Sequence, residues 1–527
     1  MRTLVECRAR IAHPRACSRA SKSTRRAVRA ASAARRAPAP AVDDDNVCDV
    51  AIVGAGPGGL AAALALQRQG LDVRVFEQRE EFRPAGVAIF IWPHGLNALK
   101  SFDPETTERV IDAGAVIDTI AIEQLQPGGT EAEELVRIDV AGWSRRMDLP
   151  PQIGITWARL TNALRAGLRP DTVRLAHRLA CIYDDDDGVA LGPSSGGVTL
   201  TFEPPRNGGD APPPVRARMC VVGADGRNSR VRELTFGEED ASSSAAASSP
   251  ASSAAAPEAN VYYALSPNPP PGANGAGSFN ELRFSLCDGS GISLLDVGRG
   301  NLDIDGGDSP GGDAPGGQLM FGTTRFSEPA RTFDTPERRL AHLESLFENT
   351  TPLLKAAIAS TSPAAVVQTR LYERDGASWW SKGRVTLLGD AAHCMYPSLG
   401  LGISTAFQDA VELANCLSSS DGGGIDSDVR EALATYERRR IPPCWALQTG
   451  SRLMHRVLAA TSERAPAGGE RGTGGGERGG SGAIDLTGVF FRAWRGVLWL
   501  LGDREEERAV TEAQSAKKAE KAAGAKR

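Results

Sequence analysis

The chain has 527 residues, with Lys+Arg 60 against Asp+Glu 65 and a 41% hydrophobic share, enough for a large core and two domains with tails. Its nine Cys show no C-x-x-C spacing, which sets aside a zinc framework or disulfide scaffold and suits a reducing compartment. No stretch is apolar for as long as a membrane-spanning helix requires.

Residues 1–40 carry ten Arg and Lys22 against one acid, Glu6, with Ala and Ser between them. An Arg-rich, Ser-containing, acid-poor arm without an apolar h-region reads as an organelle transit peptide, assigned to 1–45, with a disordered basic tail as the bland alternative. The chloroplast is the preferred address and the mitochondrion the second. The arm's net +10 leaves the remaining chain near −15. That acidic body argues against a nucleic-acid partner.

CDVAIV (48–53) predicts a buried strand, followed by Gly54, Gly56 and Gly59 as G-x-G-x-x-G, with Gly58 between the last two. Gly54 permits a tight turn, Gly56 lets the backbone approach a pyrophosphate, and Gly59 lets the next helix pack on the sheet. The helix start offers N–H groups to phosphate. LDVRVFE then gives a second strand ending at Glu77, whose carboxylate suits a ribose 2′-OH and repels a 2′-phosphate. Strand, glycines, helix, strand and acid in this order indicate dinucleotide binding. By itself the fingerprint does not choose between NAD and FAD.

Further along, TIAIEQL (119–125), ELRFSLC (281–287), ISLLDV (292–297) and GQLMFGTT (317–324) alternate as strands of a mostly antiparallel sheet. The wall candidates on it are Tyr262, Tyr263, Phe284, Leu286 and Phe321, and alternation puts Phe284 and Leu286 on one face. Plain sheet core is the competing reading for each. No cluster of Arg demands a carboxylated substrate. The stretches 204–215, 241–259, 267–277, 305–317, 418–428 and 464–482 are rich in Pro, Gly, Ser, Ala or Asp and read as surface loops.

Two more nucleotide signals flank that sheet. In MCVVGADGRNSRVRE (219–233) a strand runs into Gly223, Asp225 and Gly226. In GRVTLLGDAAHCMYPSLGLGISTAFQDAVELANCL (383–417) a strand ends at Gly389-Asp390, and a turn at 398–402 precedes a long amphipathic helix. The N–H groups starting that helix face a polar ring edge or a phosphate.

The three blocks, in this order and spacing, resemble the class A flavoprotein aromatic hydroxylases, a family that includes plant zeaxanthin epoxidases. The likeness covers most of 48–456: GADGRNSRVR resembles the family's DG motif, GDAAHCMYP its GD motif, and YERRR (436–440) the segment after the long helix. It implies an α/β fold: a Rossmann-like FAD-binding domain built from discontinuous segments (46–118, 153–235 and 371–456), an inserted, mostly antiparallel β-sheet substrate domain (119–152 and 236–370), and a C-terminal helical region and tail (457–527). It implies FAD held by Gly54, Gly56, Gly58 and Gly59 at the pyrophosphate and by Glu77 at the ribose. Asp225 and Gly226 organise the dinucleotide region, Gly389 and Asp390 meet the ribityl and pyrophosphate groups, and Pro397, Gly400, Gly402, Ile403 and Ser404 lie beside the isoalloxazine. Arg83, in an R-x-x-G with Gly86, is a flavin-side or phosphate contact, with a plain surface Arg as the alternative.

The resemblance further implies a monooxygenase in which NADPH or NADH visits transiently and FAD activates O₂ as a C4a-hydroperoxide. One oxygen atom then goes to an aromatic or isoprenoid-like substrate, by hydroxylation or epoxidation. No catalytic side chain and no metal are required. A flavin oxidoreductase without oxygen transfer and a non-catalytic flavin-binding homologue are the rivals.

The sequence departs from the family in three places. Trp157 stands where the family has a flavin-contacting Arg, so either Arg159 substitutes or the contact is lost, and Trp157 stacks or packs. Leu401 replaces a Gln, and Ser404 an Asn. His393 is read as stabilising its turn through the backbone rather than as an acid–base group, and Cys394 as a space-filler. The apolar, aromatic segment 485–501 packs on the first domain or makes a peripheral membrane contact. The oligomeric state is left open.

Overall fold

The computed structural model describes residues 40–82, 88–125, 132–184, 196–205, 208–244, 260–268, 280–287, 289–298, 317–325, 332–348, 350–371, 373–418 and 425–462. The N-terminal arm, Arg83, Gly86, the segment 485–501 and most of the low-complexity stretches lie outside them.

The apolar runs VAIV (50–53), CVVG (220–223) and VTL (385–387) are the pattern of strand segments buried on both faces. They form the centre of an eight-stranded sheet. Its parallel part runs Val385–Leu387, Val215–Gly223, Val47–Val53, Val73–Phe76, Val173–Arg174. Ser381–Lys382 at one edge, and Val198–Phe202 with Leu179–Asp184, extend it antiparallel. The fingerprint helix Pro57–Arg68 opens with Pro at its first position, where φ is already helical, and buries an Ala- and Leu-rich flank. Helix Gly402–Ser418 packs against it, burying Ala406, Ala410, Leu413 and Leu417 at helical spacing.

The second large sheet has seven strands, in the order Val367–Arg370, Asn260–Asn268, Gly317–Arg325, Ser290–Asp296, Glu281–Cys287, Thr119–Leu125, Ala132–Asp139. All pairings are antiparallel except that of Glu281–Cys287 with Thr119–Leu125. One face, including Tyr262, Leu294 and Phe321, packs with Leu343, Phe347, Leu354 and Ile358 from helices Pro336–Leu346 and Pro352–Ala359. The other face meets Met454, Val457 and Leu458 of the 38-residue helix Ile425–Ser462. A three-stranded antiparallel sheet, Ala88–Ile91, Gln152–Thr156 and Ala115–Ile117, completes the arrangement.

The α/β class, the discontinuous Rossmann-like unit, the mostly antiparallel second sheet and the C-terminal helix match the expectation. The helix Ile425–Ser462 begins inside a stretch expected as loop and runs through the expected boundary at 456/457. Its last carbonyl, at Ser462, accepts from Gly289 N at 2.9 Å, which ties the helix end to the sheet. No helix among the described residues is long and apolar enough to cross a membrane.

Candidate functional site

Four parallel strands end on one cross-strand row, Phe76–Val53–Gly223–Leu387. Each motif begins one or two residues past that row: Glu77, Gly54, Asp225 and Gly389. The three separated blocks therefore meet at the C-terminal edge of the sheet, where ligands of open α/β folds bind. The edge is stitched by backbone: Gly54 N donates to Phe76 O at 2.8 Å, Ala224 N to Val53 O at 2.8 Å, and Leu388 N to Gly223 O at 2.9 Å.

The glycines there serve different masters. Gly54 has φ +109, and a Cβ on it would strike the Ala224 carbonyl oxygen. A Cβ on Gly59 would strike the Gly54 carbonyl oxygen, so the helix packs closely only because Gly59 lacks one. Gly56 differs. Its φ of −73 suits any residue, and a Cβ would have its nearest neighbour, Trp157 Cζ2, at 3.8 Å. No described residue would clash with a Cβ at 56, and the glycine leaves the backbone open to the cavity.

Glu77 Oε2 accepts from Ala55 N at 3.1 Å and Oε1 from Arg79 N at 3.1 Å, which aims the carboxylate across the glycine loop. Asp225 is committed inward: Oδ1 accepts from Ser229 Oγ, and Oδ2 from Arg230 N at 2.6 Å and Val231 N at 3.1 Å, capping helix Arg230–Ser244. Burial raises its pKa, opposed by those donors. Buried Arg232 donates to the carbonyls of Arg227, at 3.0 Å, and Ala391, joining the second block to the third. Asp390 opens onto the cavity within crowded protein. Burial raises its pKa, opposed by the charges of His393, Arg227 and Arg232.

Beneath that turn lies a cluster that sequence reading missed. Asp409, wholly buried in Gly402–Ser418, accepts from Gly389 N at 3.1 Å, His393 Nε2 at 2.6 Å and Arg440 Nε at 2.7 Å. Burial pushes its pKa up, but His393 and Arg440 outweigh this and hold it at about 2. Burial lowers that of His393, yet Cys444 and Asp409 raise it well above its ordinary value. The expected backbone contact of His393 is thus corrected to a carboxylate contact, and the ring does not line the cavity. His393, Asp409 and Cys444 are close enough to share an ion, but the Arg440 guanidinium already occupies the Asp409 carboxylate. The acid interrupting the apolar 406–410–413 face of the helix was the available signal. The YERRR segment supplies this clamp: Tyr436 OH donates to Leu387 O at 3.1 Å, and Glu437 accepts from Trp380 N and Ser381 N at 2.7 and 2.6 Å.

A cavity of about 1130 Å³ runs from this edge to the seven-stranded sheet. Gly54, Gly56, Gly58, Glu77, Asp225, Gly226, Gly389, Asp390, Pro397, Gly400, Gly402, Ile403 and Phe284 line it. Its described charged residues, including Glu77, Arg79, Arg178, Asp225, Arg227 and Asp390, lie at the parallel-sheet end, while the lining residues of the seven-stranded sheet are uncharged. Gly400 takes φ +63, and a Cβ there would strike the Phe90 ring.

Several expected site residues lie elsewhere. The Ser404 hydroxyl accepts from Trp92 N at 3.2 Å and sits against Gly95, behind the wall. Arg159 turns away to donate to Val297 O at 2.7 Å, leaving Trp157 on the cavity. Burial lowers the Arg159 pKa, opposed by Asp296. Tyr262 and Phe321 belong to the helix-covered face, because the pleat sends alternate side chains to opposite sides. Leu286 shares the face of Phe284 but is buried in the core beside the C-terminal helix. Gly59 acts through packing, as described. Sequence reading missed Trp92, Met320, Met454, His455 and Leu458 on the wall. His455 stacks on Tyr396 at 4.2 Å, and burial pushes its pKa down to about 4, with Arg456 acting in the same sense.

Comparison with known proteins follows the same lines. A family model described as an FAD binding domain matches residues 47–281 and 335–451. A chloroplastic zeaxanthin epoxidase of Nicotiana plumbaginifolia is 27% identical over 401 residues, covering 74% of this chain and 52% of that protein. The chain thus spans about half the length of the zeaxanthin epoxidases it matches. A FAD-dependent urate hydroxylase of Mycolicibacterium vanbaalenii is 26% identical over 392 residues, covering 74% of this chain and 84% of that one. In fold, the structure is similar to Klebsiella pneumoniae HpxO complexed with FAD and uric acid, with TM-score 0.60, 20% identity, and coverage of 88% and 95%.

Proposed function

The chain belongs to the family of class A FAD-dependent hydroxylases and monooxygenases, and from that premise we propose a FAD-dependent monooxygenase that uses NADPH or NADH and O₂ to hydroxylate or epoxidise an apolar aromatic or unsaturated compound. The observation that carries this reading is one continuous cavity with two unlike ends, the first glycine-rich and charged, the second apolar. Gly56 fits the cofactor: without a side chain it leaves the backbone of the loop open to the cavity. Gly54 to Gly58 would hold the pyrophosphate, helped by the start of the fingerprint helix, and Glu77 the ribose. Asp390 and the N–H groups of Gly402 and Ile403 would face the remainder of the flavin. When bound, FAD supplies electron transfer from the nicotinamide and activation of O₂. The chain's own work is to orient the substrate and exclude water, for which the apolar wall of Ile120, Ile122, Leu282, Phe284 and Met320 is suited.

The experiment is the visible spectrum of residues 46–527 with FAD, before and after anaerobic NADPH and then NADH, followed by O₂ uptake with candidate substrates. A flavin band that bleaches and substrate-stimulated O₂ uptake are expected. No band in folded protein overturns the reading. Trp157 on the cavity, where the resemblance implies an arginine, favours a second reading, a non-catalytic flavin-binding homologue, which would hold flavin without turnover.

The basic arm 1–45 and the chloroplastic relatives support an organelle address. Fusion of that arm to a fluorescent reporter tests it, and a cytosolic reporter would sink it.

A further inference from the structure

The far wall of the cavity is organised by register. One cross-strand row runs Tyr263–Gly322–Ser293–Phe284–Ile122 over five strands, and all five residues line the cavity. A neighbouring row adds Met320, Leu282 and Ile120. At Gly322 a Cβ would meet Ser293 Oγ at 2.8 Å and Tyr263 Cδ1 at 3.0 Å, so the glycine lets the tyrosine ring lie against the sheet. The Ser293 hydroxyl is spent internally, donating to Gly322 O at 3.2 Å. Tyr263 has no hydrogen-bond partner among the described residues. Burial alone pushes its pKa up to about 12, so the phenol stays protonated and neutral. The half-buried ring lines the cavity, so its hydroxyl is open to an occupant as a donor.

We propose that Tyr263 is a specificity-determining residue of the cavity, donating a hydrogen bond to a single oxygen atom of an otherwise apolar, uncharged substrate. The proposal rests on the flavoprotein reading for the position of the substrate. The described residues of this wall carry no charge, which disfavours a carboxylate or phosphate, because neither would find a counter-charge among them on leaving water. The ring of Phe284 and the side chains of Ile122 and Met320 suit the flat or branched hydrocarbon body. The phenol gives that body a fixed end, which sets the carbon presented to the cofactor side of the cavity. Thr324, one pleat away in the register with Gly291, is the only other uncommitted hydroxyl that the described residues of this wall offer.

The test uses the full chain with FAD bound and two probes of one shape, 2-naphthol and naphthalene, titrated against the flavin visible band. Tyr263→Phe keeps the ring and removes the donor. The ratio of 2-naphthol to naphthalene affinity is expected to fall roughly three- to tenfold in Y263F, the loss of one net hydrogen bond. An unchanged ratio overturns the proposal, and so does a fall that appears in Thr324→Val instead. If neither probe perturbs the band while FAD remains bound, the substrate class is overturned and the flavin reading stands. If the parent chain shows no flavin band, the flavin reading fails and takes this inference with it.

Discussion

The two ends of the cavity are built by different means. At the parallel sheet, backbone makes the site: four strand ends, close glycines and two helix starts, held by hydrogen bonds between motif and motif. At the seven-stranded sheet, side chains make it, with the backbone fully occupied by its own ladders. The first construction fixes a shape that few substitutions can leave intact. The second can be re-lined residue by residue without disturbing the fold. A scaffold with one end of each kind keeps a cofactor constant and lets the substrate vary.

The sharpest way to break this contrast uses two glycines three positions apart. Gly59→Val drives a side chain into the Gly54 carbonyl and should abolish the folded chain, read as loss of soluble protein and of far-UV dichroism. Gly56→Val has room within the protein and should fold, yet lose the flavin band by blocking the approach of the cofactor. Full flavin occupancy in G56V would refute the assignment of this edge.

Next in size is the clamp behind the edge. Asp409→Asn leaves the Arg440 and His393 charges buried without their carboxylate, at a cost of about 3–5 kcal/mol. Urea unfolding of the FAD-loaded chain measures it. A change below about 1 kcal/mol, the worth of an exposed pair, would show that the cluster is not what holds the turn at Gly389. On the opposite wall, Phe284→Ala should leave FAD affinity within about twofold while weakening naphthalene binding roughly three- to tenfold. Loss of FAD in F284A would erase the distinction between the two ends.

The same contrast explains how much could be read from sequence. Gly54, Gly56, Glu77, Gly389 and Asp390 were legible because a backbone-made site needs particular residues at fixed spacing along one segment. The choice of wall residues was not, since it depends on which strand pairs with which. Tyr262 and Tyr263 are adjacent and equally plausible, and the pairing of Tyr263 with Gly322 decides between them. Arg159 was misplaced because its partner, Val297, is 138 residues distant. Met454, His455 and Leu458 were invisible for a similar reason: helix Ile425–Ser462 runs through the expected boundary at 456/457 and returns to the sheet at Gly289. Asp225 is legible as a motif residue on the cavity, but its service to the start of helix Arg230–Ser244 is not, because that depends on how the chain turns after the strand.

The last expectation is a pH dependence above pH 6.5 that arises at the cofactor end, where the buried ionisable cluster lies. Asp409 has a folded pKa of about 2, below its unfolded 3.8, so its stabilisation is present above pH 4 and is lost as pH falls toward 2. His393 has a folded pKa well above its unfolded 6.5, so its share is complete below that value and is lost as pH rises through the folded pKa. Between those two values the loss runs at about 1.4 kcal/mol per pH unit for one proton. The seven-stranded wall adds nothing in that window, because the Tyr263 phenol titrates only near 12. His393→Gln retains a donor toward Asp409 and removes the titration. Thermal midpoints from pH 5 to 9 should therefore decline in the parent chain above pH 6.5 and flatten in H393Q. Parallel curves would mean that the imidazole is neutral in the folded protein and that the Asp409 charge is balanced by Arg440 alone.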